Sequence, residues 1–174
     1  MKTLTDQLTQ YAYYHQDQRN INSHFVGVPM IVMAVVVLMS RPVIALGGLS
    51  ISLAMIAAIL ATFFYLRLDL RFGIVLGVVL ALMLSAGDWL AVQAVSLWLG
   101  AGLGLFVVGW IIQFVGHYYE GKKPAFVDDL VGLLIGPLFV TAELGFLLQM
   151  RLALKAEIHH RLKNSGRLSG AALV

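Results

Sequence analysis

Residues 89–125 read WLAVQAVSLWLGAGLGLFVVGWIIQFVGHYYEGKKPA. The first part of this stretch, residues 89–115, has no charged side chain. It is longer than the roughly 20 residues that a helix needs to cross a hydrocarbon core about 30 Å thick. His117, Glu120 and two lysines follow it directly. The stretch therefore predicts a membrane-spanning helix that ends in a polar site at the membrane boundary.

The composition of the whole chain is that of an integral membrane protein. Of its 174 residues, 60% are hydrophobic and 12% are charged, whereas soluble domains have about 45–50% apolar and about 25% charged residues. The absence of cysteine excludes disulfides, iron–sulfur clusters and thiol catalysis. Nucleic acid is not an expected partner, because the net charge of +3 is not gathered on a basic soluble module.

The apolar residues group into five segments. These segments are 25–40, 43–66, 72–87, 89–115 and 130–150. The predicted fold class is an all-α integral membrane protein with a bundle of about four to five transmembrane helices. We expect a single membrane domain over 1–174, with an interfacial helix over 3–18, the transmembrane bundle over 25–150 and a basic tail over 151–174.

The N-terminal residues show the spacing of an amphipathic helix. One helical stripe is formed by Leu4, Leu8, Tyr11 and His15. The helix is expected to open at Thr3 or Thr5 and to lie in the membrane interface. Residues 19–23 break the pattern, and the next helix is expected to begin near His24.

The lysines and arginines predict which ends of the segments share one side of the membrane. If the first four segments each cross once, one side receives Lys2, Arg19, Arg67, Arg71, Lys122 and Lys123. His15, His24, His117 and Glu120 fall on that same side. The basic tail would then lie opposite, so either segment 130–150 is re-entrant or an earlier segment does not fully cross. The polar N-terminus excludes a cleavable signal peptide, and the cysteine-free composition favours a bacterial inner membrane over an ER membrane.

Three histidines and one glutamate form a candidate metal site. His117 and Glu120 are three positions apart and share a helix face. His15 and His24 are nine apart, so they converge only if the helix breaks between them. Imidazoles plus a carboxylate with open positions are typical of non-haem Fe(II) enzymes and would also serve Zn²⁺.

Other polar residues near this site have candidate supporting roles. Asn20, Gln113 and Tyr118 are available to orient the imidazoles. Lys122 and Lys123 are topology determinants or, alternatively, cations that meet a substrate carboxylate at the interface.

Plainer interpretations stay open at this point. A single histidine at a membrane boundary is more often an interface residue than a ligand, and His159 and His160 fit a solvated basic tail. Glu143 interrupts an apolar run and would be a proton carrier, a support for a ligand or a kink. Two other functions compete with an iron enzyme: a small metal or proton transporter, and a zinc-dependent membrane hydrolase with Glu120 as its general base.

Two sequence blocks together resemble the DUF962, or Mpo1-like, family. The first is Tyr11-x3-His15-x4-Asn20-x3-His24-x2-Gly27-x-Pro29. The second is Trp110-x2-Gln113-Phe114-x-Gly116-His117, followed by Glu120-x3-Pro124-Ala125 and by Pro137-Leu138-Phe139. The resemblance spans residues 5–150.

The resemblance implies an Fe(II)-dependent dioxygenase that uses O₂ to shorten 2-hydroxy fatty acids by one carbon. It places the functional histidines at His15, His24 and His117, with Glu120 and Asn20 inside the motif. It leaves open the substrate's chain length and whether the chain forms a homo-oligomer.

Overall fold

The structure is a computed structural model that describes residues 2–46, 49–122 and 131–166. In these ranges the chain forms seven α-helices and one β-hairpin. The elements in chain order are α1 (Leu4–Tyr13), α2 (Gln18–Ser40), β1 (Val43–Leu46), β2 (Leu49–Ser52), α3 (Leu53–Leu68), α4 (Leu70–Ala91), α5 (Val95–Glu120), α6 (Gly132–Leu147) and α7 (Leu152–Asn164). The predicted helical membrane fold is confirmed, with the hairpin as an addition to it.

Among the described residues, three helices are long and apolar enough to cross a membrane. These are α2 with 23 residues, α4 with 22 and α5 with 26. A fourth span would come from α6 and α7 together, but their axes are bent by 116° at the break between them. Gln149 and Arg151 have left-handed backbone angles at this bend, with φ values of 60° and 55°. The irregularity expected at Pro137 and Glu143 is not found there, since both residues lie within the continuous helix α6. The bend follows at residues 148–151.

Helix α1 begins where the sequence predicts. Thr3 is its N-cap, and Thr3 and Asp6 form a reciprocal capping box. Leu4, Leu8 and Tyr11 are buried. The helix ends at Tyr13, so His15 lies in the connection to α2 and not on the helical stripe.

The start of α2 differs from the prediction. The helix begins at Gln18 and not near His24, so residues 19–23 are helical. Asp17 explains the earlier start, because its Oδ1 accepts a hydrogen bond from the backbone N–H of Arg19, 2.8 Å away. A carboxylate in this position satisfies an N–H that the first turn of a helix leaves without a partner. The break between His15 and His24 therefore lies before Gln18.

The prediction of one apolar helical segment over 43–66 is wrong in its first part. Residues Val43–Leu46 and Leu49–Ser52 pair as antiparallel strands, with Val43 opposite Ser52. Pro42 precedes the hairpin, and Gly47 and Gly48 separate its strands in the sequence. A Gly-Gly pair between β-branched runs is a hairpin signal. Only α3, with 16 residues, remains of the expected span.

The described residues divide into two compact units. One unit comprises residues 1–28 and 112–174, and the other comprises 29–111. In the second unit, α3 and α4 form a tight helical pair, since a Cβ at Gly73 would lie 2.6 Å from the backbone of Leu66. Asp69 caps α4 by accepting from the N–H groups of Arg71 and Phe72. The residues proposed as a metal site all belong to the first unit.

Helix α7 occupies part of the predicted basic tail. It packs against α1, and Arg161 forms an ion pair with Asp6 at 2.8 Å. Ile158 and Leu162 are its buried residues. His159 and His160 are exposed, as expected for residues outside the site.

Candidate metal centre

Three buried histidines meet in the first unit. His15, His24 and His117 are 3%, 2% and 7% exposed. One ring nitrogen from each lies within 4.8 Å of the others, and no other group of three metal-ligating side chains occurs in the described ranges. The ring centroids are 4.4 Å apart for His15 and His24, 5.0 Å for His15 and His117, and 5.3 Å for His24 and His117.

Three separate segments supply these histidines. His15 comes from the connection between α1 and α2, His24 from the second turn of α2, and His117 from the last turn of α5. Because α1 ends at Tyr13 and α2 starts at Gln18, the chain turns between His15 and His24. That turn lets two residues nine positions apart face the same point.

Backbone carbonyls fix the tautomers of two imidazoles. His15 Nδ1 lies 2.7 Å from the Tyr11 carbonyl oxygen, and His24 Nδ1 lies 2.9 Å from the Asn20 carbonyl oxygen. Since a carbonyl only accepts, each Nδ1 must carry the proton and each Nε2 must hold a lone pair. Within the described chain, His15 Nε2 is buried without a hydrogen-bond partner. A free imidazole lone pair is what a metal ion needs.

His15 is a neutral base in this environment. Burial, and then the neighbouring His24 ring, hold the pKa of His15 well below its ordinary value of 6.5. Its imidazole is therefore uncharged near neutral pH. Neutral imidazole is the form that binds a metal.

Aromatic rings enclose His15. The Tyr11 ring stacks on the imidazole with centroids 4.1 Å apart and planes 6° apart. The ring centroid of Phe139, on α6, lies 5.5 Å from that of His15 and 4.9 Å from that of Tyr11. Sequence reasoning assigned no role to Phe139, because helical spacing carries no signal for a contact between residues so far apart in the chain. These rings keep water from one side of the cluster.

Glu120 lies beside the cluster and is not a member of the histidine group. Its Oε2 accepts hydrogen bonds from the backbone N–H groups of Gln16 and Asp17, at 2.9 and 2.8 Å. The same oxygen accepts from Asn20 Nδ2 at 3.2 Å. The carboxylate thus holds the connection that follows His15.

The other predicted supporting residues have different positions. Asn20 is fully buried and contacts both His24 and Glu120, through its carbonyl oxygen and its side-chain amide. Gln113 is 4% exposed, and its Nε2 has no partner in the described part of the chain. Tyr118 is not brought to the cluster, because its side chain is 83% exposed.

The two lysines cannot be treated together. Lys122 Nζ donates to the Tyr13 carbonyl oxygen at 2.8 Å and lies 3.6 Å from Glu120 Oε1. Lys123 lies outside the described residues. Lys122 therefore neutralises the buried carboxylate and ties the end of α5 to the end of α1.

Gly116 allows α5 to approach α2 closely. A Cβ on Gly116 would overlap Ser23 Oγ and would lie 2.7 Å from Asn20 Oδ1. A glycine is required here for space and not for a special backbone angle. The close approach puts His117, the next residue, within reach of His24.

Two comparisons with known proteins match most of the chain. The family described as "2-hydroxy-palmitic acid dioxygenase Mpo1-like" matches residues 1–148. The 2-hydroxy-palmitic acid dioxygenase MPO1 of Saccharomyces cerevisiae is 37% identical to the chain over 162 residues, which cover 92% of this chain and 90% of the yeast protein. No solved structure matches the chain. The chain therefore belongs to the Mpo1-like family.

Proposed function

We propose that this chain is a non-haem iron dioxygenase that shortens 2-hydroxy fatty acids by one carbon. The observation that carries the proposal is the buried group of His15, His24 and His117, whose ring nitrogens lie within 4.8 Å of one another. The 37% identity to a yeast protein named 2-hydroxy-palmitic acid dioxygenase supports the substrate class.

The three histidines fit a metal ion on chemical grounds. Two of them have Nδ1 bound to a carbonyl oxygen, which leaves Nε2 as the ligand atom. Three imidazoles leave positions open for a substrate and for O₂. Imidazole ligands suit iron and also zinc, so the choice of iron rests on the similarity to a named dioxygenase. When bound, Fe(II) would supply the activation of O₂.

The proposed reaction balances with O₂ as the oxidant. The C1–C2 bond of the 2-hydroxy acid and the O–O bond break. C2 becomes the carboxyl carbon of an acid one carbon shorter, C1 leaves as CO₂, and the remaining oxygen and two hydrogens form water. The four electrons that C1 and C2 lose are those that O₂ takes up.

The chain's own residues bind and shield the reactants. The rings of Tyr11 and Phe139 exclude water beside His15. We assign Lys122 a second role in the attraction of the substrate carboxylate. Its ammonium has three donors, of which the Tyr13 carbonyl oxygen and Glu120 Oε1 engage two, and its side chain is 28% exposed. The apolar helices α2, α4 and α5 suit a membrane-embedded protein with a lipid substrate.

Zinc-dependent hydrolysis is the weaker alternative. It would need Glu120 as a general base, but Glu120 Oε2 already accepts three hydrogen bonds from residues 16, 17 and 20. These three donors occupy Oε2, so this oxygen is not free to accept a proton from a water molecule at the cluster. The geometry therefore favours oxygen chemistry over water activation by Glu120.

The test is metal analysis combined with O₂ uptake. The full chain is purified in detergent without chelators, and 2-hydroxypalmitate or palmitate is added under air. We expect about one iron per chain, O₂ consumption with the 2-hydroxy acid only, and an acid shorter by one carbon. Stoichiometric zinc with no O₂ consumption would overturn the proposal.

The similarity to a yeast protein does not favour the bacterial inner membrane over the ER membrane.

A further inference from the structure

We propose that Glu120 is a positioning residue that holds His15 and His24 in place for the metal, and is not itself a ligand. The inference rests on the proposed metal site and assigns a role to a residue beside it. The Glu120 side chain is only 3% exposed, so its carboxylate is buried. A buried carboxylate is costly unless hydrogen bonds and a counter-charge compensate it.

The compensation comes from the segments that carry the histidines. The N–H groups that donate to Glu120 Oε2 belong to Gln16 and Asp17, the two residues directly after His15. Both donors lie in the connection between α1 and α2. The carboxylate therefore determines the path of the connection, and with it the position of His15.

Asn20 connects Glu120 to His24. Its side-chain Nδ2 donates to Glu120 Oε2 at 3.2 Å, while its carbonyl oxygen lies 2.9 Å from His24 Nδ1. One buried residue thus links the carboxylate to the second imidazole. The third imidazole, His117, lies one turn before Glu120 on α5, so the carboxylate and this ligand share a rigid helix.

A ligand role fits these contacts less well. Glu120 is absent from the group whose ligand atoms lie within 4.8 Å of one another. Its Oε2 has three donors, and Lys122 Nζ lies 3.6 Å from its Oε1. Groups that orient metal ligands in this way typically change metal affinity by roughly 10–100-fold when they are replaced.

The experiment exchanges donor and acceptor between positions 20 and 120. The full chain in detergent carries Asn20→Asp, Glu120→Gln or both, and each protein is titrated with Co(II) while its visible absorption is recorded. Asn20→Asp alone places two carboxylates together. In the double variant the new amide at position 120 can donate to the new carboxylate at position 20, which removes the contact between two carboxylates. Recovery is expected to be partial, because the bonds from residues 16, 17 and 20 all go to the same Oε2 in the unchanged chain, and the amide cannot both donate to position 20 and accept from residues 16 and 17.

We expect each single variant to bind Co(II) roughly tenfold or more weakly and with altered absorption at saturation. The double variant should bind about threefold or more tightly than Asn20→Asp, because the two positions are coupled. Glu157→Gln is the matched control, since it removes an exposed carboxylate from α7, and it should bind like the unchanged chain.

Two results would overturn the positioning role: unchanged affinity and absorption in Glu120→Gln, or a double variant that shows no recovery over Asn20→Asp. The second result would instead assign Glu120 as a ligand. Failure of the unchanged chain to bind Co(II) is a separate outcome, which overturns the proposed metal site itself.

Discussion

The His15 imidazole lies parallel to the phenol ring of Tyr11, with centroids 4.1 Å apart and planes 6° apart. The carbonyl oxygen of the same tyrosine lies 2.7 Å from His15 Nδ1. One residue therefore sets both the plane of the imidazole and its tautomer. The fold itself therefore fixes the orientation of the His15 ring, so less would have to be ordered if a metal bound.

This relationship predicts different effects for two Tyr11 variants. Tyr11→Phe keeps the stacked ring and the carbonyl, so we expect metal affinity within about twofold of the unchanged chain. Tyr11→Ala removes a ring that is only 8% exposed, and should lower the free energy of unfolding by about 3–5 kcal/mol. Its metal affinity should fall about tenfold. Calorimetric titration and denaturant unfolding in detergent check both; equal affinities in the two variants would contradict the role of the ring.

The contact between α5 and α2 predicts a steric effect at Gly116. Gly116→Ala brings a methyl group 2.7 Å from Asn20 Oδ1, and overpacking of this kind costs about 1–3 kcal/mol. Gly104→Ala on the same helix is the control, because a Cβ there meets nothing within 4 Å. It should change stability by less than about 1 kcal/mol. Comparison of the two unfolding midpoints checks the prediction, which fails if both variants behave alike.

Local spacing predicted much of the helical structure. The Thr3 start of α1 follows from cap chemistry. The failures have local causes too. Asp17 caps α2 earlier than expected, and Val43–Leu46 pairs with Leu49–Ser52 as a hairpin in place of a helix.

The site could be predicted only in part. Its three histidines were identified by residue type and by resemblance, and the structure brings them together. The partners of Glu120 are backbone N–H groups 103 and 104 positions away. Every residue except proline has such a group, so no side-chain pattern marks these two. For Tyr118 the prediction from sequence was wrong for a different reason. It is the residue next to His117, but its side chain is exposed and does not reach the cluster.

The neutral state of His15 predicts how the stability of the metal-free protein depends on pH. Because the pKa of His15 is well below 6.5 in the fold, the unfolded chain binds more protons than the folded one as the pH falls below 6.5. Stability is therefore fully present above that pH and declines below it, by at most about 1.4 kcal/mol per pH unit for this residue. Thermal unfolding of the metal-free chain between pH 7 and pH 5 measures the slope. His15→Asn should reduce it, whereas an unchanged slope in that variant would contradict the prediction.

Replacement of a buried histidine of the cluster should have effects that replacement of an exposed histidine does not have. His24→Ala and His117→Ala each remove one of the three imidazoles that face a common point, and two ligands hold a metal much less tightly than three. We expect both variants to insert in membranes and to lose bound metal and activity. His159→Ala removes an exposed imidazole from α7 and should keep both. Metal content per purified chain, measured beside membrane yield, tests this. Full metal content in His117→Ala would mean that the cluster is a buried packing arrangement and that the metal lies elsewhere.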